Sequence, residues 1–287
     1  MSMRTGVCPD CGKQIEVPEG LQEFSCLYCG SRLRSADVFG GDCAVPEDLC
    51  EALLPCVTKY RDALQNLQPK KYAPYYEGYF DARKETLARI DSLSANAMPK
   101  LAAMVLDSID LWATDTKRPA AALEDAKFAL CLLFVPAVRQ AAPWQGLRFC
   151  QALHGLWLER YPKLPFQLTT YEDIAGGFDR KKLCFITTAA CTWQGKSDDC
   201  KELTAFRHFR DTWLAAQPDG KALIEEYYRI APGIVTAMNL TAPDAHYSTL
   251  WAEFLKPCYE ALLRGDNEGC KRLYTKMVQS LCRRYRI

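Results

Sequence analysis

The sequence predicts an all-α protein, a multi-helix bundle body with a small β unit at its amino terminus. Three observations carry this. Apolar residues recur at spacings of three and four through most of the 287-residue chain. Prolines and paired glycines cut that pattern into helix-sized lengths. The first thirty or so residues instead carry two Cys-x-x-Cys pairs flanked by short segments suited to strands.

The amino-terminal pairs are Cys8-Pro9-Asp10-Cys11-Gly12 and Cys26-Leu27-Tyr28-Cys29-Gly30, with fourteen residues between them. Two intervening residues let both thiolates of one turn reach the same ion, and the following glycine can adopt the positive φ of a metal knuckle. Cys8, Cys11, Cys26 and Cys29 are therefore the expected ligands of one structural zinc in a β zinc ribbon spanning residues 1–36. Iron is the competing occupant, since four thiolates bind it too. Residues 13–17 and 22–25 suit the two arms of a hairpin, with Pro18-Glu19-Gly20 near its turn. So short a unit buries too little apolar surface to fold alone, and a structural zinc supplies about 10–16 kcal/mol in zinc-finger peptides. With all four positions taken by protein, no site is open for substrate. From Met1 to Arg34 four basic side chains face four acidic ones, and the tetrathiolate centre adds negative charge, so a nucleic-acid partner is not expected.

Phe39-Gly40-Gly41-Asp42 reads as a linker to a helical bundle over residues 45–162. Its first stripe is Leu49, Leu53, Cys56, Val57, Tyr60, Leu64 and Leu67, kinked at Pro55. A second runs through Tyr76, Phe80, Leu87, Ile90 and Leu93 to Pro99 and resumes with Leu101, Val105, Ile109 and Trp112. Pro119 and Pro143 look like first-turn prolines of helices over 120–133 and 144–161. A second linker covers 162–182, and a further helical unit covers 183–287. In that unit, helices over about 199–216 and 221–230 lead to a closing helical hairpin that turns at Gly265-Asp266-Asn267.

Composition bounds the function. Apolar residues make up 49%, charged residues 25%, and the formal net charge is +1. No polyanionic partner follows from such a balance. No apolar run is long enough to cross a bilayer and no signal-peptide core precedes Cys8, so a cytoplasmic protein with no membrane association is expected. In a reducing compartment most of the remaining eleven of fifteen cysteines behave as small core hydrophobes. Three histidines leave little material for acid–base chemistry, and Cys150 with His154 lies within an apolar helical stripe.

The segment Cys184-Phe185-Ile186-Thr187-Thr188-Ala189-Ala190, then Phe206-Arg207-His208-Phe209-Arg210-Asp211, Gly220, Tyr227-Tyr228 and Ala231-Pro232 resembles the CFI-box carboxy-terminal domain of bacterial and archaeal proteins. The resemblance covers roughly residues 184–238. Cys191 stands where that family has tyrosine, and the glycine after it is missing. With the ribbon, the whole chain is similar to bacterial TFIIB-type zinc ribbon-containing proteins. The resemblance implies no established activity.

Two groups in this segment are candidate functional residues. Cys184, Cys191 and Cys200 could be core, a reactive thiol or part of a second metal site, and an Asp199-x-x-Glu202 capping box would place Cys200 in the first turn of a helix. Arg207, Arg210 and Asp211 share a helix whose apolar stripe is Leu203, Phe206, Phe209 and Trp213. Arg207 and Asp211 are spaced to pair, and Arg210 is spaced to be partly buried against an internal acceptor or a bound anion. No catalytic residue is assigned. A non-catalytic protein-interaction or scaffold module with a protein partner is the expected function. A thiol-dependent enzyme or redox sensor using Cys184 or Cys200 is one alternative. A nucleic-acid-associated factor using the basic last helix is another.

Overall fold

The structure, a computed structural model, describes residues 2–40, 44–178 and 184–286. Gly41 and Asp42 of the first expected linker, and residues 179–183 around the second, lie outside the described residues. The fold class is all-α, with two small antiparallel sheets confined to the amino terminus. Among the described residues no helix is long and apolar enough to cross a membrane. The chain divides into two compact units, one of Met1–Arg61 with Tyr79–Leu164 and the other of Asp62–Gly78 with Pro165–Ile287.

In the first unit, strands β1 (Met3–Val7) and β2 (Gln14–Pro18) pair antiparallel, as do β3 (Glu23–Ser25) and β4 (Arg32–Arg34). The sequence suggested that 13–17 and 22–25 would pair with each other. Instead each pairs with the strand across its own cysteine knuckle, because the knuckle itself reverses the chain: Gly12 N donates to Cys8 O and Gly30 N to Cys26 O, at 2.9 and 2.8 Å. Gly12 and Gly30 take φ of 69° and 75°, the left-handed conformation expected of them. Strand alternation then buries Ile15, Val17 and Leu33 with Cys8 and Cys26 in a miniature core.

The short helix α1 (Ser35–Phe39) leads towards the helical part, where α2 (Glu47–Leu53) and α3 (Pro55–Thr58) are separated at the expected proline. Helix α4 (Tyr72–Ala88) stops earlier than the stripe implied, and Ile90 falls in a short 3-10 turn. Pro99 therefore opens α5 (Met98–Thr114) in its first turn, where the missing N–H costs nothing. Helix α6 (Pro119–Ala129) does not end near Leu133. It passes through a π-type turn, Leu130–Phe134, into α7 (Val135–Ala141). Pro136 cannot donate to the preceding turn, and a widened turn accommodates that loss while keeping Leu130–Phe134 fully buried. Helix α8 (Gly146–Arg160) packs on α5, burying Phe149, Leu153 and Trp157 from one and Leu101, Val105 and Ile109 from the other.

The second unit holds α9 (Tyr171–Gly176), α10 (Phe185–Trp193), α11 (Lys201–His208), α12 (Gly220–Leu240), α13 (Pro243–Leu250), α14 (Lys256–Leu263) and α15 (Asn267–Tyr285). Helix α12 runs well past Ile230 and contains Pro232, since Ile234, Ala237 and Met238 continue its buried face. The hairpin of α14 and α15 turns at Gly265, φ 75°, and Asp266 accepts from Gly269 N at 2.8 Å to cap α15.

Candidate functional site

The four expected ligands converge. One Sγ from each of Cys8, Cys11, Cys26 and Cys29 lies within 4.8 Å of the others, and the Cys8–Cys29 and Cys11–Cys26 sulfurs are each 3.8 Å apart. A tetrahedron with metal–sulfur bonds of about 2.3 Å has sulfur–sulfur edges of roughly 3.8 Å, so the cluster has the size of a tetrathiolate site. These cysteines could hold a metal ion. Without one, hydrogen bonds to Ser31 draw the Cys29 thiol down to about 6, while burial pushes Cys8 up to about 12. A divalent cation overrides both by binding all four as thiolates.

The knuckles are anchored on the helices of the same unit. Asp10, between Cys8 and Cys11, receives a fork from Arg148 of α8, with both N···O distances 2.6 Å. The Arg148 hydrogen bonds hold the Asp10 carboxyl below its usual range. At the end of β4, Arg34 donates to the Asp91 and Leu93 carbonyls at 2.7 and 3.1 Å. Asp37 in α1 is fully buried. It accepts from Arg34, from Ala95 N at 3.3 Å and from the Gln145 side chain. Asp91 in turn accepts from Trp144 N and Gln145 N at the start of α8. Arg34, Asp37, Asp91 and Arg148 carried no signal of this role, because beside local contacts such as Arg34–Asp37 and Arg148–Gln145 their partners lie 50 or more residues away.

In the second unit the remaining candidates fall into two settings. Cys184 precedes α10 and Cys191 lies within it; both are buried with Leu203, and Cys200 and Trp251 pack against them. Among the described residues these three cysteines do not form a second metal-binding group. Cys200 is the residue before α11, not within its first turn. The expected capping box is absent: Asp199 accepts from Ser197 and Glu202 from Lys196, both at 2.5 Å. Burial pushes the Cys191 thiol up to about 12 and raises Cys184 as well, against the opposing pull of Arg210.

Arg210 is mostly buried, as its spacing implied. Its guanidinium donates to Asp211 at 2.6 and 2.8 Å, to Tyr228 Oη at 2.9 Å and to Cys184 Sγ at 3.2 Å. Arg207 does not pair with Asp211 but grips Asp198 at 2.7 and 3.1 Å. The reason is a π-type turn over Phe209–Leu214, which widens the helix after α11 and takes residues four apart out of stacking register. Next to this cluster, Ile186 N donates to Tyr227 Oη at 2.9 Å and Tyr274 Oη donates to the same oxygen at 3.3 Å.

No family model matches the chain, and no curated protein or solved structure is significantly similar to it. The geometry must carry the functional reading.

Proposed function

We propose that the protein is a cytoplasmic zinc-binding adaptor in which the ion is structural and the second knuckle meets a protein partner. Zinc is favoured over iron because a closed tetrathiolate is the commonest structural zinc site and nothing in the ribbon asks for electron transfer. The observation that supports the partner is the pair Leu27 and Tyr28, 95% and 66% exposed between Cys26 and Cys29. An apolar side chain almost wholly in water, on a turn fixed by two ligands, is pre-organised for burial in a partner at little entropic cost. The carboxy-terminal segment we read as CFI-box-like, supported by the mutual contacts of Cys184, Arg210, Tyr228, Ile186 and Tyr227.

Elemental analysis of the purified protein is expected to find one zinc per chain, and iron at one equivalent would overturn the metal. For the partner, a photo-crosslinking residue at position 28 is expected to trap a defined protein from cell extract. That adduct should be lost when Leu27→Asp is added. Equal trapping by a crosslinker placed on the far side of the ribbon, at Glu16, would sink the knuckle as an interface.

A further inference from the structure

A cavity of about 490 Å³ lies within the carboxy-terminal unit, bordered by α11, the π-type turn after it, α12 and α15. That volume falls in the range of roughly 300–1,000 Å³ occupied by small-molecule sites. Phe206, Phe209, Leu214, Leu223, Ile230 and Val278 supply apolar wall. The polar border is mixed: hydroxyls, the Gln279 amide and four charged side chains.

Thr187, Tyr274 and Tyr227 all border the cavity and form a chain of three hydroxyls. Thr187 Oγ1 and Tyr274 Oη are 3.1 Å apart, and Tyr274 Oη and Tyr227 Oη 3.3 Å. The Ile186 amide donates into the Tyr227 end. Three hydroxyls bring three protons, and two oxygen–oxygen links consume two. With Tyr274 donating to Tyr227 and Thr187 to Tyr274, the Tyr227 proton has no acceptor among the described residues. Thr187 is fully buried and Tyr227 and Tyr274 are half-buried, so a ligand that fills the cavity must itself answer that proton. Arg210 borders the same cavity. Of its five N–H groups, two go to Asp211, one to Tyr228 and one to Cys184, which leaves a single N–H uncommitted. Two donors among the bordering residues are therefore uncommitted. Of the other charged groups on the border, Lys271 is paired with Asp219 and Glu226 with Arg229, while Arg283 adds a positive charge.

We propose that this cavity binds a long-chain aliphatic carboxylate. The two carboxylate oxygens accept from the spare hydroxyl proton and the spare Arg210 N–H, and the chain lies against the apolar wall. Two donors match two oxygens, whereas a phosphate head would bring more acceptors and charge than the site can answer. The proposal is independent of the zinc and partner reading, because no residue of the ribbon takes part.

Isothermal titration of the full-length protein with decanoate, decanol and decyl phosphate tests it. Decanoate is expected to saturate at one per chain and to bind at least tenfold more tightly than either of the others. Val278→Trp fills the cavity and should weaken decanoate at least tenfold, with the melting curve checked to confirm folding. Ile224→Trp, from another part of the border, serves if that variant fails to fold. Arg283→Ala should weaken decanoate several-fold and leave decanol unchanged. Three results would overturn the proposal: no saturable decanoate binding, equal affinity for decanol, or decanoate binding that survives the folded cavity-filling variant. Tighter binding of decyl phosphate would overturn the carboxylate.

Discussion

Cys8, Cys11, Cys26 and Cys29 form a site, whereas Cys184, Cys191 and Cys200, which lie closer together in sequence, do not. The difference is in the backbone that carries them. Each ribbon pair sits on a turn closed by a positive-φ glycine and zipped by strands on either side, so its thiols point back to one centre. Cys184 and Cys191 bracket two turns of α10, and a helical separation of seven residues spreads thiols over roughly 10 Å along one face. Cysteine density therefore says little about metal binding. What matters is whether the chain reverses within the spacing.

The sharpest way to break this comparison is to remove one ligand. Cys11→Ser is expected to lose the metal and unfold the ribbon, because the strands alone cannot replace the roughly 10–16 kcal/mol that structural zinc contributes in comparable peptides. The helical circular dichroism should persist, with a lowered midpoint as Arg148 loses Asp10. Retention of a full equivalent of metal would remove Cys11 from the ligand set. Cooperative loss of all helical signal would show that the ribbon is part of one folding unit with the helices.

Asp37 comes next in size. Its buried carboxylate answers donors from Arg34, Ala95 and Gln145, so Asp37→Ala strands a guanidinium and an amide at once. Breaking such a buried charge pair costs about 3–5 kcal/mol. Urea unfolding monitored by far-UV circular dichroism should show that loss, with Asp37→Asn intermediate. A change below about 1 kcal/mol would mean that the network does not bear on stability.

These two residues mark the limit of what the sequence disclosed. The four-cysteine cluster was legible because its pattern repeats at short range, and the all-α body because burial imposes a 3.6-residue period on Leu101, Val105 and Ile109. Partners at long range were not legible. Nothing near Asp37 distinguishes it from a solvated acid, and nothing near Arg207 predicts that Asp198 will capture it. The π-type turns at Leu130–Phe134 and Phe209–Leu214 hid in helical periodicity, since one extra residue in a turn leaves the apolar stripe readable and shifts only the polar register. The strand partners were misread for a related reason. Residues 13–17 and 22–25 alternate suitably for strands, but alternation does not name the partner, and here the cysteine turns do.

Arg210 gives a moderate effect. Arg210→Ala removes charge-assisted bonds to Asp211 and Tyr228, a loss of about 1.5–3 kcal/mol at neutral pH, reduced because Asp211 is 58% exposed. Arg210→Lys should recover part of it, since an ammonium keeps the charge but not the fork. The Arg210 hydrogen bonds hold the Asp211 carboxyl below its usual value in the folded protein. A depressed folded pKa adds stability that is complete above the unfolded value, near pH 4, and fades as pH falls through the lowered one. The gap between wild type and Arg210→Ala should accordingly narrow in acid, and a gap independent of pH from 7 to 2 would take Asp211 out of the account.

The smallest effect is expected at the buried thiols, where it sharpens the opening contrast. Burial pushes the Cys191 thiol up to about 12 and raises Cys184 in the same direction, so both are held as unreactive thiols at neutral pH. Removing the metal should unfold the ribbon and so expose its thiols, including Cys8 and Cys26, which are buried when it is folded, while Cys184 and Cys191 stay sealed against Leu203. Iodoacetamide added with a chelator at pH 7, followed by peptide mapping, should therefore alkylate Cys8, Cys11, Cys26 and Cys29 at least tenfold faster than Cys184 or Cys191. Cys191→Ala should leave the melting temperature within a few degrees, because a free buried cysteine contributes little beyond its volume. Rapid alkylation of Cys184 in the folded protein would reverse the contrast. It would mean that the Arg210 guanidinium, 3.2 Å from that sulfur, outweighs desolvation, and it would bring the thiol-enzyme alternative forward.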